Sequence, residues 1–284
     1  MLPLQLVLLL ALLAWVIRSA AAQGSRPPAR DLDAEARAMA TAADSTATDA
    51  SSATAVDSVP TDSLGVPLEL ARLDWAGMAR FAKANQDLGP KPPGARRVVF
   101  MGNSITEGWA ASYPEAFAQH PSWVNRGISG QTTEQMLVRF RQDVIALDAD
   151  VVVIAAGIND IAANTGYTPP EETVGHLKSM CEIAGANGVR VVLESILPAY
   201  DFPWRPTMAS PAQQVVHVNE QLAAFAKTQD HVDYLDLFSV LADERPGMRA
   251  DMSYDEVHLT REGYATIAPH VEAAVAAALE KTGR

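Results

Sequence analysis

Val151-Val152-Val153-Ile154 is an unbroken apolar, β-branched run, and that pattern suits a strand whose two faces are both covered. Strands of this kind sit in parallel sheets with helices packed on either side. Comparable short runs occur at 97–101, 123–125, 150–155, 190–195 and 232–237, and longer amphipathic stretches separate them. The alternation predicts βαβ units, an α/β fold and a mostly parallel five-stranded sheet.

Chemistry at the helix starts agrees. Thr168-Pro169-Pro170-Glu171 and Ser210-Pro211-Ala212-Gln213 each set a hydroxyl three residues ahead of Glu or Gln, with Pro at the first helical position. Thr132 and Gln135 repeat the device without Pro. Met136, Phe140, Val144 and Leu147 then fall near one face at helical spacing, which predicts a helix packed on the sheet. A last helix is predicted over 261–281.

The N-terminal part reads differently. Every residue from Leu6 to Ile17 is apolar, and Ala20-Ala21-Ala22 before Gln23 fits a signal cleavage site. Residues 1–22 are therefore expected to be a signal peptide and the protein to be exported, periplasmic or secreted. No Lys or Arg precedes the apolar run, so an uncleaved N-terminal anchor is the alternative. Residues 23–65, rich in Ala, Ser, Thr and Asp, have too little apolar surface to offset chain entropy and are expected to form a disordered linker. That leaves 66–284 as the folded domain.

Charge and cysteine content narrow the function. With 34 acidic against 22 basic residues the formal net charge is −12, the wrong sign for neutralising a phosphate backbone. Nucleic acid is not an expected partner, nor is stable membrane insertion after signal cleavage. The lone Cys181 makes neither an internal disulfide nor a cysteine-based metal site. No metal and no cofactor is expected, and the oligomeric state stays open.

Four short segments carry the chemistry, and each follows a predicted strand or precedes the last helix. The first strand runs into Gly102-Asn103-Ser104, which puts Ser104 where a parallel sheet presents reacting groups, though a Gly turn with a Ser N-cap has the same sequence. Gly127 and Gly130 follow the second strand and let backbone N–H groups approach a ligand. Asn159, in Ala156-Gly157-Ile158-Asn159-Asp160, offers an amide donor or simply makes a turn. Asp255 stands three residues before His258, a spacing that lets one turn bring carboxylate to imidazole. His120, His176, His217, His231 and His270 lack such a partner and are read as structural or surface residues.

From about Leu73 onward these residues resemble the SGNH, or GDSL-type, hydrolase family, including Ile128-Ser129-Gly130-Gln131-Thr132-Thr133 and the stretch 197–206. The likeness is to its secreted bacterial branch, related to platelet-activating-factor acetylhydrolase-like esterases and carbohydrate acetylesterases. It implies a three-layer α/β/α, flavodoxin-like fold. It also implies Ser104 as nucleophile, His258 as general base and Asp255 as its orienting partner. The Ser104 and Gly130 backbone N–H groups, with the Asn159 side chain, would form the oxyanion hole; Gly127 is a weaker claimant. Two positions depart from the family: Asn103 stands where Asp is usual, and Leu259 where many members have Pro.

The activity so implied is hydrolysis of short-chain acyl esters, acetyl foremost and on carbohydrates among others, through an acyl-enzyme. A serine hydroxyl needs a neighbouring base to attack at neutral pH, and each oxyanion donor is worth about 3 to 4 kcal/mol in comparable hydrolases. With a neutral imidazole as base, kcat/KM should rise through one ionisation near pH 6 to 7, the ordinary imidazole range. Trp109, Tyr200, Phe202 and Trp204 are candidate pocket walls or sugar-stacking rings, with loop packing as the alternative. An acyltransferase, thioesterase or lysophospholipase on the same residues is the alternative activity, and a non-catalytic carbohydrate-binding module the alternative class.

Overall fold

A computed structural model describes residues 73–205 and 211–282. The expected signal peptide and linker, and the Ser210 cap, lie outside the described residues. Five strands form one all-parallel sheet: β1 (Val98–Gly102), β2 (Trp123–Gly127), β3 (Val151–Ala155), β4 (Arg190–Glu194) and β5 (Val232–Leu235). Their spatial order is β2-β1-β3-β4-β5, the flavodoxin-like arrangement, in which the chain reverses its direction of travel across the sheet beside β1.

The helices are α1 (Ala82–Leu88), α2 (Ser104–Ser112), α3 (Pro114–Gln119), α4 (Thr133–Asp143), α5 (Ile158–Ile161), α6 (Pro170–Ala186), α7 (Pro211–Ala226), α8 (Phe238–Leu241) and α9 (Arg261–Lys281). α2 and α9 cover one face of the sheet, and α4, α6 and α7 cover the other. The result is three layers, α/β/α. Residues Val98 to Met101, Val151 to Ile154 and Val191 to Leu193 are buried throughout, as continuous apolar strands covered on both faces must be. Phe100, Trp109, Phe117 and Trp123 interlock mostly edge to face beneath α2.

The register sets the stage for the site. Gly102 pairs with Gly127 on β2 and with Ala155 on β3, so three strands end level at one rim. α4 starts as predicted, with a reciprocal Thr132–Gln135 capping box, and Met136, Phe140, Val144 and Leu147 are all buried.

Some boundaries differ from the sequence reading. β1 is shifted one residue onward, β2 continues to Gly127, and β5 stops at Leu235. Thr168 does not cap α6: Pro169 takes the N-cap position with ψ 142°. Pro170 forces its predecessor into extended backbone, so the helix starts one residue too late for the Thr168 hydroxyl to reach it.

Candidate active site

Ser104 opens α2 at the end of β1. The N-cap is Asn103, not Ser104: its Oδ1 accepts the Ile105 N–H at 3.0 Å, and the side chain is buried. The Ser104 hydroxyl is thereby left for another partner, and it lies 2.8 Å from His258 Nε2. His258 Nδ1 is in turn 2.6 Å from Asp255 Oδ2.

The other carboxylate oxygen shapes its own turn. Asp255 Oδ1 accepts the backbone N–H of His258 at 2.7 Å and of Val257 at 3.1 Å, which fixes the imidazole backbone relative to its partner. Burial pushes the Asp255 carboxyl up, but hydrogen bonds from His258 and Val257 and the adjacent imidazole outweigh it and hold it below the usual carboxylate range. An ionised carboxylate only accepts, so Nδ1 carries the proton and the Nε2 lone pair faces the Ser104 O–H. The His258 and Asp255 side chains are 29% and 30% exposed, so the chain of contacts is open to a ligand. Tyr254 stacks on the imidazole with centroids 5.7 Å apart.

The loop after β2 is held from several sides. Ile128 N–H donates to Gly102 O at 3.0 Å, and the Ser129 N–H and hydroxyl both donate to Glu107 on α2. Asn159 Nδ2 donates to Gln131 O at 2.9 Å, and Asn164 Nδ2 to Gly130 O at 3.2 Å. Gly130 adopts φ +78°, a left-handed conformation that glycine takes without strain, and its N–H has no acceptor among the described residues. Ser104, at the first helical position, likewise has an N–H with no intrahelical acceptor. Three donors thus sit on adjoining loops of one rim: the Ser104 and Gly130 N–H groups and the second N–H of Asn159.

Gly127 does a different job. A Cβ there would collide with the Glu107 backbone nitrogen and lie 2.8 Å from Asn103 O, so this glycine lets α2 press against β2.

Supporting residues were not apparent in sequence. Arg139, fully buried, donates to Gln131 Oε1 at 2.6 Å, to Gly102 O at 3.2 Å and to Asp143 at 3.0 Å, tying α4 to two of the loops. Glu107 follows Ser104 by three residues on α2, and that helical spacing is the one signal that marked it. Asp160, next to Asn159, accepts the Thr133 N–H and hydroxyl at the start of α4; burial raises its carboxyl to about 6 despite those bonds.

The aromatic residues divide. Trp109 and Phe202 are buried core residues and do not line the open cleft; the first stands edge to face with Phe100 of the sheet. Tyr200 and Trp204 are roughly half exposed. An open cleft lined by Tyr200, Asp201, His217, Glu220 and Arg245 lies on that side, and Arg245 reaches Glu256, the neighbour of Asp255, at 3.8 Å. Among the described residues no group of His, Cys, Asp and Glu could hold a metal ion.

Residues 100–266 match the model of the GDSL-like lipase/acylhydrolase family. The chain belongs to that family. Two solved structures are similar at higher identity: a GDSL-like lipase from Bacteroides thetaiotaomicron and a Bacteroides fragilis protein assigned as an acylhydrolase. They are 39% and 40% identical, each with a TM-score of 0.69, 72% of this chain covered and 98% of theirs. An acetyl xylan esterase is similar in fold, at 19% identity, a TM-score of 0.52, 63% of this chain covered and 99% of that one. No curated protein matches. Family membership makes this chain an ester-hydrolysing enzyme of the GDSL-like type.

Proposed function

We propose that this enzyme hydrolyses short-chain acyl esters, acetyl foremost, on carbohydrate or other small alcohols, through an acyl-enzyme on Ser104. The observation that carries the reading is the unbroken Ser104–His258–Asp255 chain of hydrogen bonds. His258 Nε2 takes the Ser104 proton as Oγ attacks the ester carbonyl, and Asp255 stabilises the imidazolium that results. The Ser104 and Gly130 N–H groups and Asn159 Nδ2 receive the oxyanion. His258 then protonates the departing alcohol, and water repeats the sequence to release the acid. Beside this turn the cleft offers Glu220 and Arg245 as hydrogen-bonding groups and the Tyr200 ring as a stacking face for a hydroxylated alcohol. Export, which rests on the Leu6 to Ile17 run and the Ala20-Ala21-Ala22 cleavage site, is part of the same proposal.

The test is a series of p-nitrophenyl esters from acetyl to octanoyl, run beside acetylated sugars, with Ser104→Ala as control. Acetyl preferred over octanoyl, and loss of at least about 10³-fold activity in Ser104→Ala, is the expected result. Undiminished activity in that variant overturns the mechanism, and octanoyl preference overturns the substrate class. Added alcohol acceptors in the same assay separate hydrolysis from acyl transfer.

A further inference from the structure

Two residues that each bury a polar atom unused by the proposed chemistry line one small chamber. It lies between the sheet and the layer of α2 and α9, directly behind the loop that presents Ser104, and its walls include Asn103, Thr106, Trp109, Glu194 and Ile267. Glu194 ends β4, and its carboxyl makes no hydrogen bond or ion pair among the described residues; its Oε1 is sealed from solvent. Trp109 has the complementary deficit, an indole Nε1–H that is buried without an acceptor. Asn103 uses its Oδ1 on Ile105 and leaves its amide nitrogen without a protein acceptor among the described residues.

Buried donors and acceptors left unpaired are rare in folded proteins, and ordered water is the usual remedy. The chamber offers about 20 Å³ of water-sized space, and one buried water needs about 10 to 15 Å³ with two to four polar partners. We propose that this chamber is a single-water site, in which the water accepts from Trp109 Nε1–H and Asn103 Nδ2–H, donates to Glu194, and makes Glu194 a positioning residue for the Ser104 loop. The water itself stands apart from the esterase reading; its effect on turnover rests on Ser104 being the nucleophile.

Burial alone raises the Glu194 carboxyl to about 8, so the group is neutral under ordinary conditions. Among the described residues no charged side chain faces it. Its neighbour on β5 is Leu235, α2 brings Thr106 and Trp109, and α9 brings Ile267. The titratable side chains nearby are Tyr264, buried on α9 a turn before Ile267, which donates to Ile105 O, and the partly buried Tyr234 on β5, which donates to Asn219 O. Ionisation in alkaline solution would place an uncompensated carboxylate charge beside the water and disturb Asn103, the residue that caps the helix carrying Ser104.

The experiment compares wild type, Glu194→Gln and Glu194→Leu. A high-resolution crystal structure of the wild type near neutral pH should show water within hydrogen-bonding distance of both Trp109 Nε1 and Glu194; a dry chamber overturns the proposal. With p-nitrophenyl acetate from about pH 6 to about pH 9, wild-type kcat should fall several-fold on a limb that Glu194→Gln lacks. An identical limb in both, or none in the wild type, overturns the positioning role. Glu194→Leu should lower kcat roughly fivefold at neutral pH with KM changed less than about twofold; if it does not fold, the Gln profile decides. Should Ser104→Ala prove fully active, the esterase reading fails while the crystallographic arm still decides the water site.

Discussion

Asn159 carries two amide hydrogens, and the bond to Gln131 O occupies one of them. The other is therefore aimed by a partner that itself belongs to the Gly130 loop. Asn159→Ala is expected to lower kcat by about 10²- to 10³-fold with KM little changed, while stability falls by only about 1 kcal/mol. Steady-state kinetics and urea denaturation on the same preparation check both figures, and a parallel loss of kcat and fold would refute the assignment. Individual residues were legible where their partner is local: Asp255 and His258 are three apart, so spacing alone brought them together. Glu194 was not legible, because its significance lies in what is absent around it, and no sequence pattern records an unpaired atom. For Trp109 and Phe202 the sequence left pocket wall and packing both open, and both rings are buried, since an aromatic side chain near a strand end can turn inward or outward with equal local fitness.

At the level of elements, the contact of α2 with β2 sets where the Ser104 hydroxyl is presented. Gly127→Ala is expected to destabilise the fold by at least about 3 kcal/mol, because the added methyl meets backbone on α2 and backbone cannot yield as a side chain can. Chemical denaturation gives the number, and a shift below about 1 kcal/mol would show that α2 can slide. Element type was readable from the alternation of β-branched runs and amphipathic stretches, and the last helix, α9, begins and ends where its pattern does. Ends were less so. Thr168 carried every sign of a cap, yet the second of two consecutive prolines imposes extended backbone on the first, Pro169.

Across the whole domain, wholly and partly buried carboxyls make stability depend on pH in two opposite senses. Asp150, Asp233 and Asp255 are each pushed up by burial but drawn further down by hydrogen bonds and cations or imidazole, so they stabilise above their unfolded values and lose that contribution as pH falls. Glu194 acts the other way. Its carboxyl holds a proton in the folded state up to about 8, while the unfolded chain releases it near 4.5, so folding binds the extra proton and stability drops as pH rises between those values. The slope is up to about 1.4 kcal/mol per pH unit, or about 3 °C in Tm for a domain of this size. Thermal melts of wild type and Glu194→Gln from about pH 5 to about pH 8 should therefore diverge steadily in favour of the variant, and parallel curves would contradict the burial argument. The fold class was evident from the chain, because strands and helices alternate; the supporting lattice of Arg139, Glu107 and Asp160 was not, since each joins segments that only the finished sheet brings side by side. Finally, carboxylate and imidazole ride on one short turn stitched by its own backbone amides, whereas the hydroxyl they serve arrives from 154 residues away. Two of the three groups consequently travel as a preassembled cartridge, and the relay has a single joint at which it can come apart.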